Sequence, residues 1–131
     1  MAQFMLLLRG GEFPVHSPEE MQKVVEKYIA WADKLRQEGR HRGGEELKEG
    51  GRILSVKNGK IAVDGPYVET KEIVGGFYHF DAKDIDEATE ISRACPHLGF
   101  GGSVEIREIN PHLAVAQQNS EKNSYGLSLK F

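Results

Sequence analysis

Residues 63–72 read VDGPYVETKE and crowd groups capable of chemistry into a short stretch. Asp64, Gly65 and Pro66 are consecutive, and Tyr67, Glu69, Lys71 and Glu72 follow. A carboxylate held beside a stiff Gly-Pro backbone could act as a general base or fix a ligand's hydrogen-bond donor. Asp64 is therefore the first catalytic candidate, with Gly65, Pro66, Tyr67, Lys71 and Glu72 as ligand-binding candidates around it. The plainer alternative is a local one. Asp-Gly favours a turn, and Lys71 and Glu72 then neutralise one another or Asp64 in solvent, where such pairs contribute little. Tyr67 either lays its ring on the core or turns its hydroxyl into a pocket between protomers.

His79 stands between Tyr78 and Phe80 on an expected strand. It titrates near neutral pH, so it is the second catalytic candidate if it faces a chamber. The bland alternative is a packed histidine with one satisfied nitrogen. Arg9, closing the first apolar run, could hold an anionic ligand, or could simply be a solvated strand end. Cys95 reads as a small buried hydrophobe at a helix end, where the dipole works against a thiolate. His16 reads as an exposed loop residue. His41, His97 and His112 fall in expected loops without metal-ligand spacing, so no metal or other cofactor is expected. The glycine pairs Gly10-Gly11 and Gly101-Gly102 do not have phosphate-loop spacing.

A chain of 131 residues suits one domain with a real core. Hydrophobic residues make up 39% and charged residues 28%, a soluble globular balance. The net charge of -3 gives no basic field for nucleic acid, which is not expected as a direct partner. The single cysteine excludes an internal disulfide and suits a reducing cytoplasm. FMLLL near the start is too short for a membrane span and reads as a strand covered on both faces.

The elements that must position these groups follow from the pattern. A strand is expected over residues 3–9. Ser17, Pro18 and Glu20 form a helix start with a capping box, and Gly39 marks the end. The predicted apolar stripe is Met21, Val24, Val25, Tyr28, Ala32 and Leu35, with Trp31 on its flank. A glycine-rich stretch over residues 39–51 has room for a short strand near Glu46 and Leu47. ILSVK-NG-KIAVD then predicts a two-residue type I′ hairpin pairing Lys57 with Lys60, Val56 with Ile61 and Leu54 with Val63. A strand is expected over 73–80, a helix capped by Asp84 and ending at Pro96, and a last strand over 101–109. The polar residues 111–131 are expected to be disordered or to contact a partner. The domain proper is 1–110.

This order suits an α+β ferredoxin-like sandwich: a four-stranded antiparallel sheet plus an extra hairpin strand, with two helices on one face. Two helices cover one face only, so the other needs a partner. A second copy is the simplest, which predicts a homodimer with sheets face to face.

Several segments, FMLLLRG, SPEEM, DGPYVETKE, GGFYHF, DEATE, ACP and GGSVEIREI, resemble the YCII-related family over residues 3–109. The similarity is greatest to its branch named for a D-G-P-F motif, here Asp64-Gly65-Pro66-Tyr67 with tyrosine in place of phenylalanine. The resemblance implies a dimeric α/β barrel. It places the chain in a superfamily that includes small isomerases and cofactor-independent oxygenases. The family's suspected activity rests on a His–Asp pair. Tyr28 stands near the histidine's place in the first helix and joins the ligand-binding candidates. Relatives in this branch also occur beside sigma factors. Two functions are therefore expected as alternatives. One is a cytoplasmic small-molecule enzyme using Asp64 and His79. The other is a non-catalytic binding or regulatory module, linked to sigma-factor-dependent transcription. Neither involves a membrane.

Overall fold

In the computed structural model, the apolar run at the start forms strand β1 (Ala2–Gly10), with Phe4, Leu6 and Leu8 turned into the core. The structure describes residues 1–13, 15–65 and 73–111. Ser17 caps helix α1 (Pro18–Gln37), its hydroxyl accepting from the amide of Glu20. Gly39 then takes a left-handed φ of 74°, which lets the chain leave the helix without a Cβ penalty. Strand β2 (His41–Glu46) follows, then the hairpin of β3 (Ile53–Lys57) and β4 (Lys60–Asp64). Strand β5 (Val74–Ala82), helix α2 (Ile85–Ser92), a 3-10 turn (Pro96–Phe100) and strand β6 (Gly102–Glu108) complete the order.

The main sheet runs β2-β5-β1-β6, antiparallel throughout. This is the ferredoxin-like α+β arrangement expected from the sequence, with the hairpin inserted between β2 and β5. One face of the sheet carries Phe4, Leu6, Leu8, Tyr78, Phe80 and Ala82, which meet Trp31, Leu35, Ala88 and Cys95 in a single core. Alternation puts Met5, Leu7, Phe77 and His79 on the opposite, open face.

Some local expectations shift. Trp31 belongs to the core rather than its flank, and packs edge-on to Tyr78 at 4.8 Å between ring centroids. Met21 and Val25, expected inside, are exposed, because the helix rotates its Trp31–Leu35 side onto the sheet. The hairpin has its predicted register, with Asn58 and Gly59 both at positive φ, but forms its own two-stranded sheet. The outer neighbour of β5 is β2, which begins before the short strand foreseen near Glu46. Helix α2 stops at Ser92, and Pro96 opens the 3-10 turn instead of ending the helix. The tail beyond residue 111 lies outside the described residues.

Candidate functional site

The 3-10 turn brings His97 inward. Pro96 at its start presets the backbone, and Gly101 leaves it in a left-handed conformation at φ 78°. Between them His97 is almost fully buried. Gly11 and Gly102 make the space for its ring. A Cβ added at Gly102 would sit 2.2 Å from Nε2, and one at Gly11 would sit 2.9 Å from Cε1.

Both ring nitrogens are bonded, and the chemistry of the partners fixes the tautomer. Nε2 lies 2.9 Å from the Arg9 carbonyl, which can only accept, so Nε2 carries the proton. Nδ1 is then the acceptor for the Tyr28 hydroxyl, also at 2.9 Å. The carbonyl of Tyr28 in turn accepts from the Tyr78 hydroxyl at 3.2 Å. Burial, with Cys95 and then Glu46 adding to it, pushes the Tyr28 phenol up to about 12, so it is a neutral donor at pH 7. Burial likewise pushes the Cys95 thiol up to about 11, which leaves it unreactive as a nucleophile.

Aromatic rings extend from this chain of bonds towards the surface. Tyr28 stacks on Phe100 at 5.9 Å, Phe13 lies 5.0 Å from Phe100, and the Lys27 ammonium sits over the Phe100 ring. Glu12, Phe13, Gly99 and Phe100 line an open hollow of about 490 Å³. The amide of Glu12, bonded to the Phe100 carbonyl at 2.8 Å, ties the two walls together. The hollow offers ring faces to a planar ligand and one carboxylate; Tyr28, its hydroxyl bonded to His97, does not line it and adjoins it through its stack on Phe100.

The structure brings Tyr28 and Arg9 together here, Arg9 through its carbonyl. Its guanidinium lies on the open face, 3.1 Å from Glu105. Asp64 lies elsewhere. It ends β4 with its carboxylate more than half exposed and 3.3 Å from the Lys57 ammonium, and it does not line the hollow. Gly65 takes φ 149° against the Gly51 carbonyl, an approach closed to any side chain. Pro66, Tyr67, Lys71 and Glu72 lie outside the described residues. His79 donates from Nε2 to Gln3 Oε1 at 2.9 Å on the open face, and so does not meet Asp64 or Tyr28. His97, expected in a loop, is the functional candidate that spacing did not reveal. Among the described residues no group of three or more His, Cys, Asp and Glu side chains is placed to hold a metal ion.

Burial first, then the Arg42 guanidinium, holds His79 below the usual imidazole range, although Asp81 pulls the other way. His41 beside it is lowered by burial and then Arg36, with Asp33 opposing. A histidine depressed in the fold binds its proton more readily in the unfolded chain. Stability is then complete above the unfolded value of about 6.5 and declines as pH falls through the lower folded value. Thermal unfolding should therefore lose a few degrees between pH 7 and pH 5. His79→Gln, which can still bond Gln3, should flatten part of that slope. A wild-type profile level across this window contradicts the assignment.

The fold and this hollow define a small ferredoxin-like α+β domain. The YCII-related domain matches residues 2–112, and the chain belongs to that family. An uncharacterised protein of Rhizobium meliloti (strain 1021), R00369, is 40% identical over 50 residues, which are 37% of this chain and 40% of that protein. The chain thus matches about two fifths of that relative's length. Among solved structures, it is similar to the 5-chloro-2-hydroxyhydroquinone dehydrochlorinase TftG from Burkholderia phenoliruptrix AC1100, in complex with 2,5-dihydroxybenzoquinone. The TM-score is 0.38 and the identity 16%, over 82% of this chain and 93% of that one.

Proposed function

We propose that this chain is a cytoplasmic small-molecule-binding member of its family, working as a homodimer, that moves a proton at its ligand through Tyr28 and His97. The observation that carries this is the oriented chain from the Tyr28 hydroxyl through His97 to the Arg9 carbonyl. A ligand hydroxyl or an acidic C–H gives its proton to Tyr28 Oη while the Tyr28 proton passes to His97 Nδ1. The resulting imidazolium keeps both N–H groups bonded, to Tyr28 Oη and to the Arg9 carbonyl. Charge that would otherwise be costly in a buried site is thereby compensated. Phe13 and Phe100 favour a planar substrate carrying a hydroxyl or a carbonyl with acidic neighbours. Asp64, at the hairpin end and apart from this hollow, is the second candidate base.

Tyr28→Phe tests the reading, since it keeps the ring stacked on Phe100 and removes only the hydroxyl. Against a panel of small acids and lactones, turnover should fall by about 10²- to 10⁴-fold with KM little changed. If a substrate is found and this variant turns it over at the wild-type rate, the relay is not the base. Loss in Asp64→Asn alone would transfer the role to Asp64. A ligand that binds both variants and is never turned over points to the regulatory alternative.

A further inference from the structure

Residues 53–64 form a two-stranded sheet that stands apart from the main one. Its pairs Leu54–Val63 and Val56–Ile61 set four aliphatic side chains on one face. They are 63%, 59%, 72% and 69% exposed respectively. An isolated hairpin is marginal in water, and aliphatic surface arranged this way marks a contact. We infer that the β3–β4 hairpin is an arm whose Leu54, Val56, Ile61 and Val63 face packs on a second copy of this chain.

Area decides for a second copy. Among the described residues the open sheet face offers Met5, Leu7 and Phe77, with Leu47 and Ile109 at its margins, bordered by the ion pairs Arg9–Glu105 and Arg42–Asp81. At roughly 100 Å² per fully exposed large apolar side chain, these partly covered groups together supply less than about 500 Å². A stable interface needs about 800 Å² from each partner, so the sheet alone falls short. The arm adds about 400 Å² at the same rate, which brings each copy close to that requirement. A two-fold axis repeats the contact, so each chain both gives and receives an arm. A single short peptide on the hairpin would not account for the sheet face as well. Asp64 closes β4 and is carried to the subunit boundary with the arm.

This inference rests on the homodimer part of the proposed function and is independent of its chemistry. Light scattering on the full chain at micromolar concentration should give twice 14.6 kDa, and Val56→Asp/Ile61→Asp should give 14.6 kDa. Those side chains lie outside the core, so the variant should keep the wild-type circular dichroism spectrum. A monomeric wild type overturns both the dimer and the arm. A dimeric variant overturns the arm and leaves the dimer standing. Should the variant misfold, Val56→Cys serves instead, since Cys95 is buried. Its maleimide labelling should slow at least fivefold as protein concentration rises through the association range, and a constant rate overturns the arm.

Discussion

Phe80→Ala should lower the unfolding free energy by about 4 kcal/mol and the melting temperature by roughly 15 °C. Phe80 is fully buried on β5, one of the two inner strands of the main sheet. It pairs in register with Phe4 on β1, and the two rings stack at 6.2 Å between centroids. Truncation removes the transfer energy of a whole ring and leaves a cavity at the junction of sheet and helices. The lining cannot readily collapse into it, because Phe4 is fixed by its ladder and Leu35 and Trp31 are held by α1. A domain of this size has about 5–15 kcal/mol in all, so the variant should be close to unfolding at physiological temperature. Thermal denaturation followed by circular dichroism measures it. A drop under about 5 °C would mean that the Phe4–Phe80 stack is not the centre of the core.

These two aromatics belong to the part of the molecule that sequence conveys well. The run Phe4 to Leu8 and the alternation around Tyr78 and Phe80 are local patterns with a single structural meaning. The same is true of the Ser17 and Asp84 caps and of Asn58-Gly59, whose positive φ values few other pairs tolerate. Each is fixed by chemistry within a few residues. The hairpin's register was legible for that reason, whereas its separation from the main sheet was not, since nothing local says which edge a strand joins. The rotation of α1 is a similar case. Its apolar arc is wide, and only the sheet's shape decides that Trp31 turns inward and Met21 and Val25 turn out.

The candidate site was less legible because its parts meet across the chain. His97 lies 69 residues from Tyr28 and 88 from Arg9, its two hydrogen-bond partners. Tyr28 and Arg9 stood among the candidates, but nothing in either segment names a histidine in a distant turn. One signal was available. Glycines 11 and 102 flank the ends of β1 and β6, and glycine at such ends implies that something approaches the backbone closely. Their spacing does not suit a phosphate loop, and the approaching group is the His97 imidazole.

Gly102→Ala should therefore destabilise the protein by about 3 kcal/mol, more than a routine strand substitution, because the added methyl lands on that ring. The new Cβ would be 2.2 Å from Nε2, 2.4 Å from Cδ2 and 2.9 Å from the Arg9 carbonyl. The ring cannot step aside without breaking its bond to Arg9 or to Tyr28, and either break leaves a buried nitrogen unsatisfied. His97→Ala alone should also cost about 3 kcal/mol, through the cavity and the lost link between Tyr28 and Arg9. The two costs are not independent, because removing the imidazole removes most of what the Gly102 methyl strikes. The double variant should be more stable than additivity predicts by about 1–2 kcal/mol, the residue reflecting the contact with the Arg9 carbonyl that no histidine substitution relieves. Urea unfolding of the four proteins gives this coupling directly. Costs that add within about 0.5 kcal/mol would mean that His97 does not sit against Gly102. Because Tyr28 is positioned through the same ring, that result would also remove the support for a proton relay.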